Sequence, residues 1–559
     1  MSSIWKKSYP KGIPHEIAKL EYPTVGEMFR SSCRKYADRT AYLNAGHRLS
    51  YRDLELRALG FAHFLTESLK LKKGDAFAIQ MPNLLQYPIV FFGAVLAGLR
   101  IVNMNPLYTA REMKHQLVDA DVRAIVILEN FADKLEEILP DTHIDPHRVV
   151  LTRVGDMMGG FLKRTLVNCV VKRVKKMVPN YSLPSHVPFR KALAEGNPHD
   201  YVLPTMVQDS DVVLLQYTGG TTGSAKGAAL SHRNLLSNIA QIAAWIDCLE
   251  EANETVVTAL PMYHIFALSC NVLYPLTIGA SNVLITNPRD MKSFISDLQR
   301  YPFSFITGVN TLFNGLLNQP AFADIDFSKI KLAVGGGMTL QKSVVESWGK
   351  WVKTPLIEGY GLSETSPVLT INPADGTHKV GSIGLPVPST EIRILGSDDK
   401  ELPLGEIGEL CARGPQVMSG YWNRPEETKR SFVEGFLKTG DLARMDEDGF
   451  LYLVERKKEM IIVSGFNVYP NEVEGVLTSH PQVLEAGVVG VPADKTGEQV
   501  IAFVVKREDS LTEEELRSHA KKDLAAYKCP AQYRFVEDLP KSPVGKILRR
   551  VLRETWLAK

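Results

Sequence analysis

The sequence predicts an α/β protein with a large first part, a small β-rich unit and a compact α+β unit at the end. Up to about residue 450, strand-like apolar runs alternate with helical patterns, which is typical of parallel sheets covered by helices on both faces. From Glu391 the pattern changes to short alternating strands with tight turns. Beyond Arg456 the pattern starts afresh, and a length of 559 residues predicts two to four domains.

The first part shows its alternation clearly at two places. Strands Ala76–Gln80 and Ala124–Leu128 precede helices predicted around Val90–Leu99 and Ala132–Leu139. A third place, 265–288, carries no charge and is long enough on paper to span a bilayer. Because Pro275 and Gly279 interrupt it, we expect a helix, a turn and a buried strand instead.

The later units consist of shorter elements. Strands are expected at Glu391–Leu395 and Glu409–Arg413, with a turn after the first at 396–399. The last hundred residues predict strands at Ile461–Val463, Val500–Val505 and Tyr533–Val536, and two helices opened by the capping boxes Asn471/Glu474 and Thr512/Glu515. A unit of this size can fold independently.

Composition excludes some classes of protein. A hydrophobic content of 45% and a charged content of 23% are ordinary for a soluble globular protein, and a net charge of +2 gives no reason to expect nucleic acid. The six cysteines are scattered without a C-x-x-C pair, so free thiols in a reducing cytoplasm are expected. Residues 1–7 contain no apolar run, so we expect no secretory signal.

The most informative stretch is Tyr217–Gly227, which follows the apolar run Val212–Leu215. A helix is expected after it, with Ser231 as N-cap and apolar residues at 235, 239, 242 and 246 on one face. The stretch combines four glycines, three threonines and Lys226, which suits backbone, hydroxyl and ammonium donors around a polyphosphate. The Walker spacing is not met, and the alternative is a flexible surface turn.

This stretch resembles the signature loop of the adenylate-forming superfamily, which contains acyl-CoA synthetases, luciferases and peptide-synthetase adenylation domains. Further stretches match the superfamily's motifs in the expected order: 261–264, 335–338, 358–364, 439–441, 455–459 and 543–546. Over its whole length the chain is similar to bacterial long-chain fatty acyl-CoA synthetases, for example at 81–88, 105–108, 285–290 and 464–470. The resemblance implies a β-barrel-like small unit and a mobile C-terminal domain, with domains at 1–455 and 460–559 and a hinge at 456–459.

The resemblance also implies a reaction and a nucleotide site. ATP and a fatty acid would form acyl-AMP and pyrophosphate, and coenzyme A would then displace AMP, supplying β-oxidation and lipid synthesis. Phosphate-binding is implied for the loop and its flanks, and Glu364 with Thr218 would bind Mg²⁺. The residues implied to bind ATP or AMP are Thr218, Gly219, Gly220, Thr221, Thr222, Gly223, Ser224, Lys226, Gly335, Gly336, Gly337, Glu358, Gly359, Tyr360, Gly361, Ser363, Asp441 and Arg456.

The catalytic residues implied by the resemblance are Lys546, Thr218, Glu364 and His264. Lys546 would bridge the attacking carboxylate and the α-phosphate, where a cation relieves the repulsion between two anions. The alternatives are a solvated surface charge for Lys546 and a core histidine for His264. Residues implied for coenzyme A are Ser464, Gly465 and Phe466, and those for the acyl pocket are Phe266, Gly308, Val309 and Asn310.

One feature stands apart from the resemblance. The stretch 161–178 has six basic residues and no acidic ones, and most of its apolar residues share a broad face on a helix. It predicts either a helix on an anionic membrane surface or a helix packed on the domain with a basic rim. We therefore expect a cytoplasmic protein, peripheral on the membrane, and a homodimer by resemblance. Alternative functions are an acyl-AMP ligase that loads a carrier protein, a ligase for medium-chain or aryl acids, and a catalytically silent fatty-acid-binding protein.

Overall fold

The computed structural model describes residues 3–218, 225–493, 496–542 and 545–558. The strands of this part of the chain, in order, are β1 (Thr40–Asn44), β2 (His47–Ser50), β3 (Ala76–Gln80), β4 (Arg100–Asn103), β5 (Val122–Leu128), β6 (Val149–Thr152), β7 (Val187–Pro188), β8 (Val212–Thr218), β9 (Lys226–Ser231), β10 (Thr255–Thr258), β11 (Ser281–Leu284), β12 (Phe305–Gly308), β13 (Leu332–Gly335), β14 (Leu356–Gly361), β15 (Val368–Ile371) and β16 (Leu385–Pro386). They continue with β17 (Glu391–Leu395), β18 (Gly408–Arg413), β19 (Gly420–Tyr421), β20 (Phe432–Val433), β21 (Phe436–Met445), β22 (Leu451–Arg456), β23 (Ile461–Val463), β24 (Phe466–Val468), β25 (Val483–Ala493), β26 (Gly497–Lys506) and β27 (Gln532–Phe535).

The α-helices lie between these strands. They are α1 (Val25–Lys35), α2 (Tyr51–His63), α3 (Gln86–Leu96), α4 (Ala110–Asp119), α5 (Ala132–Ile138), α6 (Phe161–Cys169), α7 (Phe189–Glu195), α8 (His232–Trp245), α9 (Ile265–Ala267), α10 (Tyr274–Thr277), α11 (Met291–Arg300), α12 (Asn310–Leu317), α13 (Lys342–Trp351), α14 (Pro425–Ser431), α15 (Pro470–Thr478), α16 (Glu513–Asp523) and α17 (Arg549–Leu557). Turns of π-helix extend α2 and α6, and another joins α9 to α10.

Two large mixed sheets form the N-terminal domain. One has the strand order β16-β15-β14-β13-β12-β10-β11-β1-β2, and the other has the order β19-β9-β8-β4-β3-β5-β6-β7. The central strands of both sheets are parallel. Antiparallel pairs lie at both ends of the first sheet and at the β19 end of the second, while the edge strand β7 is parallel to β6. The central strands β3 and β6 are buried along their whole length, because helices cover both faces of a parallel sheet. The predicted α/β class is confirmed.

Two five-stranded sheets follow. In the first, β17, β18 and β21 are antiparallel neighbours, and β20 and β22 share the other edge of β21. In the second, β26 pairs with β25 on one side and with β23 and β27 on the other, and β23 also pairs with β24. The helices α15, α16 and α17 belong to this C-terminal domain.

Two local predictions were wrong. The phosphate-loop stretch does not run from a strand directly into a helix, since β9 returns antiparallel to β8 before α8 begins. At the start of α15 the N-cap is Tyr469, without a side-chain cap, because Asn471 and Glu474 bind Arg549 instead. The other predicted capping box, Thr512 with Glu515, is confirmed.

The uncharged stretch 265–288 is not a membrane span. It forms α9, a π-helical turn, α10 and β11, as predicted. None of the helices within the described ranges is both long and apolar enough to cross a bilayer. The six cysteines are free thiols.

Candidate active site

The predicted glycine motifs meet where three parallel strands end. Gly308 and Gly335 are register partners at the carboxyl ends of β12 and β13, and Glu358 within β14 is the register partner of Gly335. A Cβ atom on Gly336 would lie 3.1 Å from the carbonyl oxygen of Gly359 and 3.1 Å from the Phe266 ring. Only a residue without a side chain leaves this wall flat, and ligands of α/β sheets bind at such strand ends.

The motif on β14 is held in place by buried contacts. The Leu340 N–H donates to Glu358 Oε1 at 3.3 Å, and burial raises the pKa of Glu358 to about 8. A Cβ atom on Gly361 would lie 1.9 Å from the Pro367 carbonyl oxygen, so glycine is required there. Glu358 is thus held by the Leu340 backbone, and the Tyr360 side chain on the same strand reaches Asp441 in the third sheet.

Tyr360, Asp441 and Arg456 form one cluster. The Tyr360 hydroxyl donates to Asp441 Oδ2 at 2.6 Å, and Arg456 Nε lies 3.5 Å from Asp441 Oδ1. Asp441 and Arg456 face each other as register partners on β21 and β22. Burial and the neighbouring Asp441 charge raise the pKa of Tyr360 well above its ordinary value. Near the strand ends, the cluster therefore offers a ligand one carboxylate that accepts hydrogen bonds and one guanidinium that donates them.

Glu364 lies in the turn Ser363–Thr365 and is buried. The Tyr421 hydroxyl donates to Glu364 Oε1 at 2.7 Å. Burial raises the pKa of Glu364, while the bond from Tyr421 acts in the opposite direction. No short motif marks Tyr421 in the sequence, so its role beside Glu364 was missed.

Lys226 is opposite Thr218 in the β8–β9 hairpin. Its ammonium contacts Glu427 and lies 5.2 Å from the centre of the Tyr421 ring. The predicted residues Gly219–Ser224 lie outside the described residues. The hairpin nevertheless places Thr218 and Lys226 on adjacent strands, and Tyr421 connects Lys226 with Glu364.

Lys546 reaches this site from the C-terminal domain. Burial and the nearby Arg456 charge lower its pKa to about 8, against the opposing effect of Glu459 and Asp441. Burial, with a contribution from Lys546, lowers the pKa of His264 to about 4, so this imidazole is neutral at pH 7. Lys546 and Asp441, both predicted site residues, are more than a hundred positions apart in the sequence. The fold brings them close enough for the Asp441 charge to act on the pKa of Lys546.

The loop that carries Lys546 is docked on the start of α12. The Thr311 hydroxyl donates to the Gly545 carbonyl oxygen at 3.1 Å. A Cβ atom on Gly545, whose φ is +82°, would lie 2.5 Å from Thr311 Oγ1 and 3.1 Å from Val309 Cγ2. Glycine is therefore needed for this close approach.

The predicted acyl-pocket residues have different surroundings. Phe266 lies against Gly336, and Val309 lies between Gly337 and Gly545. A Cβ atom on Gly308 would lie 2.7 Å from the Phe313 ring, so this glycine packs on the core. The Asn310 side chain accepts a hydrogen bond from the Gln341 N–H at 2.9 Å.

The residues predicted for coenzyme A form an exposed turn of the C-terminal domain. Ser464 and Gly465 have φ values of +51° and +84° and join β23 to β24. The exposed Phe466 ring stacks on Tyr527, with 4.9 Å between ring centres. The Ser464 N–H donates to the Thr496 carbonyl oxygen at 2.8 Å.

The whole arrangement suits an anionic ligand that also carries hydroxyl groups. Lys546, Arg456 and Lys226 supply positive charge, Asp441 supplies acceptors, and the glycine wall supplies a flat apolar surface. A nucleotide has a part that complements each of them: phosphates for the positive charges, ribose hydroxyls for the carboxylate and a flat base for the glycine wall.

Comparisons with known proteins agree with this geometry. Residues 29–422 match the AMP-binding enzyme family, and residues 472–546 match the AMP-binding enzyme C-terminal domain. The long-chain-fatty-acid–CoA ligase of Yersinia pestis is 52% identical over 99% of this chain and 98% of its own. ATP-bound MatB from Rhodopseudomonas palustris superimposes with a TM-score of 0.81 at 29% identity, over 95% of this chain and 99% of that one.

A further solved structure, the anthranilate CoA ligase AuaEII in complex with anthranoyl-AMP, shares the fold with a TM-score of 0.85. It is 23% identical, and the match covers 97% of this chain and 98% of that one. The fold, the ordered motifs and the two family matches lead to one conclusion. This chain is a member of the AMP-binding enzyme family.

Proposed function

We propose that this protein is a long-chain fatty acid–CoA ligase that forms AMP. A fatty acid carboxylate attacks the α-phosphate of ATP, which gives acyl-AMP and pyrophosphate. The thiol of coenzyme A then attacks the acyl carbon, which gives acyl-CoA and AMP. The observation that carries the proposal is the position of Lys546 beside Asp441 and Arg456, and the Yersinia pestis relative supports the substrate class.

In the first step the protein has to bring two anions together. The fatty carboxylate and the α-phosphate repel each other, and a buried ammonium between them offsets that repulsion. Lys546 is the proposed bridging cation, and with a pKa lowered to about 8 by burial and the Arg456 charge its amine still carries a proton at pH 7. Because the imidazole of His264 is neutral, it adds no competing charge beside the carboxylate.

The nucleotide is proposed to lie along the motif residues. Asp441 would accept from the ribose hydroxyls, the Gly335–Gly337 wall and Tyr360 would contact adenine, and Lys226 would contact the outer phosphates. Glu364 and Thr218 offer oxygen atoms of the kind that Mg²⁺ prefers, and Glu364 keeps an acceptor beyond its bond to Tyr421. When bound there, Mg²⁺ would neutralise phosphate charge.

The second step requires a different arrangement of the C-terminal domain. We propose that residues 460–559 rotate about a hinge at 456–459 relative to residues 1–455. Lys546 would then leave the site, and the turn Ser464–Phe466 would meet the coenzyme A arm. A Cβ atom on Gly465 would have no neighbouring atom within 4 Å, so a pantetheine chain can pass close to this backbone.

The experiment that tests this function is thioester formation across acids from acetate to oleate. We expect oleate to have the highest kcat/KM, because each buried methylene contributes about 0.8 kcal/mol. Coenzyme A should be a better acceptor than a phosphopantetheinyl carrier protein. A preference for medium-chain or aryl acids, or for the carrier protein, would replace this proposal with one of those alternatives.

We also propose that the segment 161–178 touches an anionic membrane surface, where an insoluble fatty acid arrives. The side chains of Phe161, Leu162 and Leu166 are 70%, 81% and 62% exposed, so this part of the apolar face is not covered by the domain. Basic side chains of the segment are also exposed, including Lys172 and Arg173. Exposed apolar residues beside lysine and arginine suit the interface of anionic lipids. The homodimer stays a prediction.

Charge reversal tests this surface. Changing Lys172, Arg173, Lys175 and Lys176 to Glu should reduce binding to vesicles rich in phosphatidylglycerol by about tenfold or more, because each basic residue contributes about 1 kcal/mol near such a surface. Adenylation of a short, water-soluble acid should not change. The same change at four exposed lysines elsewhere is the control: Lys19, Lys72, Lys350 and Lys522. Equal vesicle binding by both variants would contradict the assignment.

A further inference from the structure

A buried ion cluster connects the catalytic loop with the proposed hinge. Arg549 is the first residue of α17, three positions after Lys546. Its guanidinium donates to Glu455 Oε1 at 2.9 Å, and to Glu474 at 3.0 and 2.8 Å in a bidentate pair. It also contacts Glu459 and the Asn471 side chain.

The partners of Arg549 lie on different sides of the hinge. Glu474 and Asn471 are on α15, and both α15 and α17 pack on β25 in the C-terminal domain, in separate hydrophobic clusters. Glu455 is on β22, in the third sheet, opposite Leu442. The carboxylate of Glu455 is 1% exposed and also accepts from the Asn471 N–H at 2.8 Å. Glu455 is therefore a carboxylate through which the sheet before the hinge contacts the C-terminal domain.

Glu455 lies in a charged run, and no sequence pattern distinguishes it from its neighbours. A buried carboxylate is costly unless it is paired and hydrogen-bonded, and here its partners are supplied by the domain that is expected to move. A rotation at the proposed hinge 456–459 would carry Arg549, Glu474 and Asn471 together. The contact between Arg549 and Glu455 belongs to the pose in which Lys546 reaches Asp441.

We infer that Arg549 is a positioning residue for the first half-reaction: by pairing with Glu455 it holds Lys546 in the adenylation pose. This inference rests on the proposed function. Thr311 supports the same pose through its bond to the Gly545 carbonyl oxygen. Contacts within the C-terminal domain, such as the Arg549–Glu474 pair, hold Arg549 itself in both poses.

The test separates the two half-reactions. Adenylation is followed by ATP–pyrophosphate exchange with oleate, and thioester formation is followed from supplied oleoyl-AMP and coenzyme A. Glu455→Gln should lower kcat of exchange by about tenfold, since one partner of a buried ion pair becomes neutral, while the KM for ATP is unchanged. Thioester formation should stay within about twofold, because it does not need this pose.

Two other variants separate positioning from folding. Glu474→Gln removes a partner inside the C-terminal domain, so it should lower the unfolding temperature and slow both half-reactions together. Thr311→Val, which leaves the ion cluster intact, should lower exchange selectively, as Glu455→Gln does. Arg550→Gln is the matched control, because its exposed side chain pairs with Glu554 on the surface of α17 and its loss should leave both reactions unchanged.

The outcomes distinguish the two ideas. Two results would overturn the positioning role of Arg549: Glu455→Gln and Thr311→Val slow both half-reactions equally, or neither variant slows either reaction. Both results would leave the proposed function unaffected. A wild-type enzyme that makes no oleoyl-AMP would overturn both.

Discussion

Replacing Lys546 with alanine is expected to lower the rate of acyl-AMP formation by about a thousandfold, the scale of losing a preorganised charge at a reacting centre. The side chain is partly buried near Asp441, and the cations that act on it, Arg456 and Arg549, are guanidinium groups paired with carboxylates of their own. Thioester formation from supplied oleoyl-AMP and coenzyme A should remain, because that step begins after the carboxylate has been activated. Single-turnover measurements of each half-reaction check this prediction.

The control for Lys546 is a lysine of the same loop. Lys541 is paired with Glu485 and Asp538, and Lys541→Ala should change adenylation by about threefold or less, as expected for a partly exposed ion pair.

The pKa of Lys546 is lowered to about 8, so its amine loses the required proton as pH rises through that value. The kcat/KM of adenylation should therefore fall above pH 8 in the wild type. Undiminished acyl-AMP synthesis in Lys546→Ala would contradict the proposed chemistry.

Replacing Glu364 with glutamine is expected to lower adenylation by about a hundredfold at saturating ATP. Glutamine keeps an oxygen that can accept from the Tyr421 hydroxyl, so the main change is the loss of negative charge at the proposed Mg²⁺ site. The concentration of Mg²⁺ that gives half-maximal pyrophosphate release should rise. Measuring this release as a function of Mg²⁺ checks the prediction.

Tyr421→Phe is the companion to Glu364→Gln. It removes the hydrogen bond to Glu364 Oε1 and leaves the carboxylate, so its effect should be about tenfold or less. The unfolding temperature of both variants shows whether the site still folds. A Glu364→Gln enzyme with wild-type rates and an unchanged Mg²⁺ requirement would remove the carboxylate from the proposed site.

Several features of the fold could be predicted because they depend on short-range patterns. Buried apolar runs indicated β3 and β5, and the Thr512/Glu515 spacing indicated the start of α16. The β9 strand was missed because Lys226 and Gly227 belong to the phosphate-loop motif, and a glycine beside a charge does not indicate a strand. Its pairing with β8 and β19 is a property of the sheet.

The start of α15 shows a different kind of error. The spacing of Asn471 and Glu474 is that of a capping box, and a local rule cannot include a competing partner from 75 residues away. Arg549 offers Glu474 a bidentate charged pair, which is stronger than a bond to a neutral N–H group. The long-range partner therefore overrides the local pattern.

The order of motifs along the chain was sufficient to indicate the family, the nucleotide and the chemistry, because glycines, hydroxyls and cations at fixed spacing carry that information locally. The chain order could not reveal that Tyr421 donates to Glu364, that Thr311 holds the loop of Lys546, or that Glu455 joins two domains through Arg549. Those contacts connect residues that are 57, 234 and 94 positions apart. They form because a polar group that is removed from water needs a hydrogen-bond partner within the protein. Which residue becomes that partner depends on how the sheets and domains pack, and not on its distance along the chain.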